Sequence, residues 1–258
     1  TQFLDIATPE NPFVLQNKSE LKHALIAYET WGTLNAKKDN AILLFHALTG
    51  SHHAAGYDPV GPDNEFWEKS SYQGWWDGYI GPGKALDTDK YFVICCNYLG
   101  GCYGSTGPAS INPETGKQYG RGFPYPTVSD IVDSQIKVLD HLGIYKLMAV
   151  IGGSVGGLAA KDLAVRYPDR VHAVIPIASG LRATVLAKAL NFEQIFAIAE
   201  DKDFHGGDYY EHGVTPWRGL ALARMISHKT FISLNVLEKR ASEVIIQHDD
   251  VLSGYLLE

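Results

Sequence analysis

The sequence has no long apolar run, no basic cluster and few cysteines. No apolar stretch approaches the roughly 18 to 20 residues that span a bilayer, so a transmembrane helix and a membrane partner are not expected. Lysine and arginine number 22 against 29 aspartate and glutamate, a net charge of −7. That balance disfavours nucleic acid and anionic surfaces as partners. The segment Thr1-Gln-Phe-Leu-Asp-Ile-Ala-Thr8 lacks a basic stretch followed by an apolar one, so no signal peptide is expected in it, and its first residue is not Met, as in a processed or trimmed start. The three cysteines, Cys95, Cys96 and Cys102, show neither C-x-x-C pairing nor zinc spacing. Reduced thiols, a cytoplasmic location and no metal are the expectations. Cys95 and Cys96 are adjacent in an apparent strand and should face opposite sides of it. Cys102, in a glycine loop, reads as a packing residue. Internal repeats, low-complexity tracts and long charge runs are also missing.

What is present is an alternation of strand and helix signals. At 258 residues the chain can bury one α/β domain with an insertion. Strands are expected over 22–29, 41–45, 91–96, 147–151 and 173–177, with Pro176 arguing for a strand end. Helices are expected over 130–142, with Thr127 or Ser129 as cap, and over 158–167 before Pro168. Alternation of this kind predicts an α/β fold with a mostly parallel sheet and helices on both faces. After Ser179-Gly180 the pattern turns helical, over 181–199, 220–227 and 232–247. Residues 1–180 therefore read as the core and 181–258 as a helical lid inserted after the sixth strand.

The most informative stretch is Gly152-Gly-Ser-Val-Gly156, between the apolar run ending at Ile151 and the helical run from Leu158. Strand, G-x-S-x-G, helix is the context of a nucleophile elbow, which makes Ser154 the candidate nucleophile. The turn forces the serine into a strained conformation, and side chains at the flanking glycines would collide with neighbouring backbone. The blander reading is a glycine-rich connection with an incidental serine. His46-Ala-Leu-Thr-Gly50 directly follows the 41–45 strand, where this arrangement supplies a second oxyanion-hole donor. The backbone N–H groups of Leu48 and Val155 take that role. His46, His52 and His53 read as loop and pocket residues rather than as the general base. Asn97-Tyr-Leu-Gly-Gly-Cys-Tyr-Gly-Ser-Thr-Gly-Pro108 could cradle a phosphate, but it matches neither a P-loop nor a dinucleotide fingerprint.

Taken together, His46–Gly50, Leu99–Pro108, Phe123-Pro124, Gly152–Gly157 and Gly219-Leu-Ala-Leu-Ala-Arg-Met225 resemble the homoserine O-acetyltransferase family, in the family's order, from about Tyr28 onward. The resemblance implies the α/β-hydrolase fold and ping-pong transfer of an acetyl group from acetyl-CoA, as co-substrate, to the hydroxyl of L-homoserine, a step toward methionine. It implies no bound cofactor. By matching position Ser154 is the nucleophile and Arg224 binds the acceptor's carboxylate; Arg182, Arg218 and Arg240 are the other arginines of the lid. Without the resemblance, Arg224 would read as a solvated helix charge. Where the family usually has a tyrosine near the substrate this chain has Phe231, which puts acceptor preference in question. The family's lids often pair in a homodimer, and 220–246 is apolar enough for that, although a lid covering its own pocket has the same composition.

The triad's Asp and His are expected on loops after two further strands beyond the lid. The sequence reaches Tyr255-Leu-Leu-Glu258 still in lid-like sequence, so roughly 100 further residues are expected from the strands and loops still owed to the sheet. His248 with Asp249 or Asp250 is a poor substitute, because adjacent helical residues point in different directions. The donor, acetyl or succinyl, and the acceptor, homoserine or serine, stay open. A serine hydrolase of the same fold and a non-catalytic binding module are the competing readings.

Overall fold

A computed structural model describes residues 1–62, 66–233, 235–236 and 238–239. The chain divides into two compact units, Thr1–Leu181 and Arg182–Glu258. Arg240, most of the helix expected over 232–247, and His248 with Asp249 and Asp250 lie outside the described residues.

In the first unit the apolar runs become the interior of one sheet. In chain order the strands are β1 (Gln2–Ala7), β2 (Phe13–Val14), β3 (Glu20–Leu21), β4 (Ala24–Trp31), β5 (Ala41–Phe45), β6 (Phe92–Cys96), β7 (Ile111–Asn112), β8 (Lys117–Gln118), β9 (Leu147–Gly153) and β10 (Val171–Ile177). Six of them form the sheet, in the order β1-β4-β6-β5-β9-β10, and β2-β3 and β7-β8 are small antiparallel hairpins. The β6-β5, β5-β9 and β9-β10 pairings are parallel, whereas β1-β4 and β4-β6 are antiparallel. Every residue of β5 and β6 is buried, as continuous apolar runs in a covered parallel sheet require. The alternation of side chains puts Cys96 in the layer beneath the helices and Cys95 in the opposite one, as expected from their adjacency.

Helices α1 (Val128–His141) and α2 (Val155–Arg166) pack on one face with Leu43, Phe45, Ile94 and Val150. The other face is covered by the irregular segment that carries Ala54, Ala55, Ile80 and Leu86, with Trp31, Trp75 and Trp76 against it. Most element ends shift by a few residues from the sequence expectation, and two features depart from it in kind. β10 runs through Pro176 to Ile177 instead of ending at the proline. Among the described residues β10 pairs only with β9, so Pro176's missing N–H removes no ladder bond. β1, which carries no strong periodic signal, pairs antiparallel with β4 through register Gln2↔Tyr28.

Of the two candidate caps of α1, Thr127 is the one used. Its hydroxyl accepts from the Asp130 N–H, and the Asp130 carboxylate returns to the Thr127 N–H at 2.7 Å, a capping box. The other Asp130 oxygen accepts from the Gln16 N–H at 2.7 Å, so this buried carboxylate ties the first hairpin to α1. Ser129 instead donates to Asp162 on α2, and Arg166 joins Asp133 and Asp162 across the same pair of helices.

The second unit, described by itself, packs α3 (Val185–Ala199) against α4 (Trp217–Phe231). Thr184 caps α3 by accepting from the Ala187 N–H, which moves its start from the expected 181 to 185. Asp201 accepts from the Gly219 N–H at the start of α4. Backbone hydrogen bonds hold its carboxyl below the usual range.

Replacing Asp130 by alanine should strand the N–H groups of Gln16 and Thr127. The expected loss is roughly 2 to 4 kcal/mol, for one cap and two part-buried donors. In urea unfolding of the intact protein this is a lower midpoint at unchanged slope. A loss below about 0.5 kcal/mol would mean that water serves these donors equally well.

Candidate active site

β5 and β9 are neighbours in the sheet and end side by side, with Phe45 opposite Gly152. Their carboxyl ends are where an open α/β sheet presents its site. The loop 46–50 leaves one strand and the elbow leaves the other.

Ser154 sits between β9 and α2 at φ +53° and ψ −117°, and its side chain is exposed. A positive φ is strained for a residue with a Cβ, and such strain costs on the order of 1 to 3 kcal/mol. Two backbone bonds hold it: the Ser154 N–H donates to the Ile177 carbonyl at 2.9 Å, and its own carbonyl accepts from the Gly157 N–H at 3.0 Å. The flanking glycines are required by close approach. A Cβ on Gly152 would lie 2.1 Å from the Gly156 carbonyl oxygen, and one on Gly156 would lie 2.2 Å from that of Phe45. Thus the elbow is pressed directly against the end of β5.

The Leu48 side chain is 77% exposed, and the N–H groups of Leu48 and Val155 make no hydrogen bond to any described residue. Val155 opens α2, so its N–H also carries the positive end of the helix dipole. The Val155 N–H adjoins the exposed serine, and the Leu48 N–H lies in the loop that leaves the neighbouring strand; donors without a partner among the described residues can take up charge developing on a carbonyl oxygen. Each such donor is worth roughly 3 to 4 kcal/mol to a tetrahedral transition state.

None of the nearby histidines serves the serine. His46 is buried, its Nδ1 lies 2.7 Å from the Ala47 carbonyl, and its ring stacks on Tyr98. Burial pushes its imidazole down to about 4. Burial likewise pushes His52 to about 4, with Glu29 opposing. His53 places Nδ1 2.8 Å from the Glu29 carboxylate and Nε2 3.1 Å from the Tyr72 carbonyl. Burial pushes this imidazole down, but those two acceptors outweigh burial and raise it. Among the described residues no His hydrogen-bonds Ser154, and no group of three or more His, Cys, Asp or Glu is arranged to hold a metal ion.

The glycine loop 97–108 is spent on structure. Ser105 donates to the Asn97 carbonyl and accepts from the Ala27 N–H, and Thr106 accepts from the Leu25 N–H. The Ser105 and Thr106 hydroxyls are thereby tied to β4. The loop also seats Tyr98, which sequence reasoning left without a role; nothing in its local pattern sets it apart from other tyrosines. Cys102 is exposed as a residue, but surrounding atoms partly desolvate its thiol and push the pKa up, the opposite direction to an activated thiolate.

Arg224 and Phe231 belong to the second unit, on α4, with His228 between them at helical spacing on one face. Arg224 is half-buried, with Nη2 3.5 Å from His228 Nε2, and the His228 and Phe231 rings meet edge to face. The alternatives Arg182 and Arg218 are exposed, and Arg218 lies over the Trp217 ring. Leu48, Ser154 and Val155 thus lie in the first unit, on loops that leave the neighbouring strands β5 and β9, and Arg224 and Phe231 lie on one helix of the second.

The shifted histidines set the sign of acid sensitivity. His46 and His52 bind fewer protons folded than unfolded. Their contribution to stability is complete above the unfolded value near 6.5 and is lost as pH falls through about 4. His53 has the opposite sign: its contribution is present below about 6.5 and is lost as pH rises through its raised value. Urea midpoints of the intact protein should therefore drop between pH 6.5 and 4, with net proton uptake on unfolding. His53→Gln should remove the weakening on the alkaline side and keep the acid limb. A midpoint independent of pH over that window would contradict the buried neutral histidines.

Residues 40–229 match the family described as alpha/beta hydrolase fold. A homoserine O-acetyltransferase of Deferribacter desulfuricans is 51% identical over 234 residues, covering 90% of this chain and 59% of its own length. A homoserine O-succinyltransferase of Alkalilimnicola ehrlichii is 51% identical over 210 residues, 81% of this chain and 52% of its own. The chain therefore spans between half and two thirds of these relatives. Among solved structures, esterase E22 superimposes with a TM-score of 0.84 at 31% identity, over 99% of this chain and 70% of that one. A homoserine O-acetyltransferase from Bacillus anthracis does so at 0.82 and 30%, again over 99% and 70%.

Proposed function

Starting from a chain that belongs to the homoserine O-acetyltransferase family of the alpha/beta hydrolase fold, we propose that the intact protein moves an acetyl group from acetyl-CoA to L-homoserine through an acyl-Ser154 intermediate. The observation that carries this reading is the exposed Ser154 at positive φ, followed by the Val155 N–H, which has no partner among the described residues. In the first half-reaction the Ser154 oxygen bonds to the thioester carbonyl carbon, the C–S bond breaks, and CoA leaves as the thiol. In the second, the acceptor hydroxyl displaces Ser154. Both pass through an oxyanion facing the same two donors. The base and its orienting carboxylate follow the nucleophile in chain order in this fold, and no described residue takes either role.

Relatives named for acetyl and for succinyl transfer support acyl transfer to homoserine; acetyl-CoA is our reading of the donor. Among the described residues Arg224 is the half-buried arginine of the second unit, and we assign it the acceptor's carboxylate, with Phe231 near the acceptor. Arginine's fork suits a carboxylate leaving water. We read Arg182–Glu258 as a lid whose exposed Leu220, Leu222 and Phe231 support pairing in a homodimer, in a cytoplasmic enzyme of methionine synthesis.

Incubated with acetyl-CoA and no acceptor, the intact protein should gain the mass of one acetyl group on Ser154. Ser154→Ala should abolish both label and turnover. Label on another residue, or an active Ser154→Ala protein, would sink the assignment. The similarity to esterase E22 favours hydrolysis as the second reading. Release of CoA that depends on homoserine separates transfer from hydrolysis.

Arg224→Ala should raise the KM for homoserine and lower kcat/KM by roughly 2 to 5 kcal/mol in transition-state terms, as for truncating one partner of a buried charge pair. Acylation of Ser154 should be nearly untouched, because acetyl-CoA lacks that carboxylate. Steady-state kinetics beside a burst measurement decide this. Equal damage to both half-reactions would mean that Arg224 holds the helix pair together.

A further inference from the structure

We propose that Tyr98 is a positioning residue that clamps the oxyanion loop, its hydroxyl and ring holding the His46 peptide so that the Leu48 N–H is kept as a donor. The inference rests on the acyl-serine reading of this site.

Tyr98 lies just past β6, the strand on the other side of β5 from the elbow. It is buried, and its hydroxyl donates to the carbonyl oxygen of His46. Its ring stacks on the His46 imidazole, centroids 3.7 Å apart and 20° from parallel. The same carbonyl is confined from the elbow side, where a Cβ on Gly156 would come within 2.6 Å of it. One step on, the Ala47 carbonyl accepts from the Gly50 N–H at 3.0 Å and meets His46 Nδ1. Both carbonyls of the turn are therefore engaged before the chain reaches Leu48, whose own N–H has no partner among the described residues. Burial raises the Tyr98 pKa, so the hydroxyl keeps its proton and stays a donor.

An oxyanion donor helps only if it is already in place, since reorientation during reaction would consume what it contributes. The 46–48 turn is exposed from Ala47 onward, and no helix or strand fixes it. The Tyr98 hydroxyl restrains the His46–Ala47 peptide, and the Gly50 N–H restrains the Ala47–Leu48 peptide that carries the donor. Without the first restraint the His46 carbonyl loses its hydrogen-bond donor, the next peptide is held from one end only, and the Leu48 N–H is in place for less of the time.

The test compares Tyr98→Phe with a protein carrying p-aminophenylalanine at position 98, both in the intact enzyme. The first keeps the ring and loses the donor; the second keeps both. Tyr98→Phe should slow acylation of Ser154 by acetyl-CoA about 10-fold or more in a rapid-quench burst. Affinity for CoA should stay within about twofold. A boronic acid that forms a tetrahedral adduct on Ser154 should weaken by the same factor as the burst. The amino variant should recover most of the loss. If Tyr98→Phe does not fold, near-normal acylation in the amino variant still supports the clamp, and loss of acylation there overturns it. Equal burst rates in wild type and Tyr98→Phe overturn the clamp alone, as does a parallel loss of CoA affinity. Absence of any acyl-Ser154 in wild type overturns the acyl-serine reading and the clamp with it.

Discussion

A methyl group on Gly156 would approach the carbonyl oxygens of Phe45 and His46 to 2.2 and 2.6 Å. This backbone-to-backbone contact is the constraint that the rest of the site follows from. It lets α2 begin against the end of β5, which puts the Val155 N–H beside the loop that carries Leu48. It also leaves the chain no relaxed route from β9 into the helix. Ser154 takes the strain, at a φ that few side chains adopt, and the bonds to Ile177 and Gly157 hold it there. A bulkier neighbour would relieve the strain by separating the two strands' loops, and the paired donors would separate with them.

The polar layer behind this contact is built for two opposite purposes. His46 and His52 are kept neutral by burial, which suits groups that support a loop and carry no charge toward the reacting centre. His53 and Glu29 form a charge-assisted pair at 2.8 Å that fixes the buried start of the 51–56 segment. That segment in turn covers the sheet face that α1 and α2 do not reach. Three histidines within eight positions thus share one loop and titrate in different directions, because the Glu29 carboxylate and the Tyr72 carbonyl outweigh burial at His53, whereas burial outweighs the polar partners of His46 and His52.

The elbow was readable from sequence because its chemistry is local: two glycines, a serine and the transition from an apolar run to a helical one within a dozen residues. The α1 cap was readable for the same reason, although only the structure distinguished Thr127 from Ser129, by giving Ser129 a partner on α2. What escaped is non-local. The β1 strand exists because β4 offers it an edge. Pro176 is accommodated because the strand it sits in donates to one neighbour among the described residues. Tyr98 acquires a role only when β6 is laid beside β5, an adjacency that skips 46 intervening residues. Arg182, Arg218 and Arg224 were separable in sequence only through resemblance to a family; their different burial is a tertiary property that local sequence does not carry.

The Ser154 N–H ends on the carbonyl of Ile177, the last residue of β10. A deuteron can replace that proton only when β10 lets go of the elbow, so the exchange rate at this one amide is a clock for the opening of β10 from β9. The clock hand is the nucleophile's own nitrogen. Whatever steadies β10 also steadies the backbone from which the hydroxyl is presented, and strand stability and nucleophile geometry become one measurable quantity.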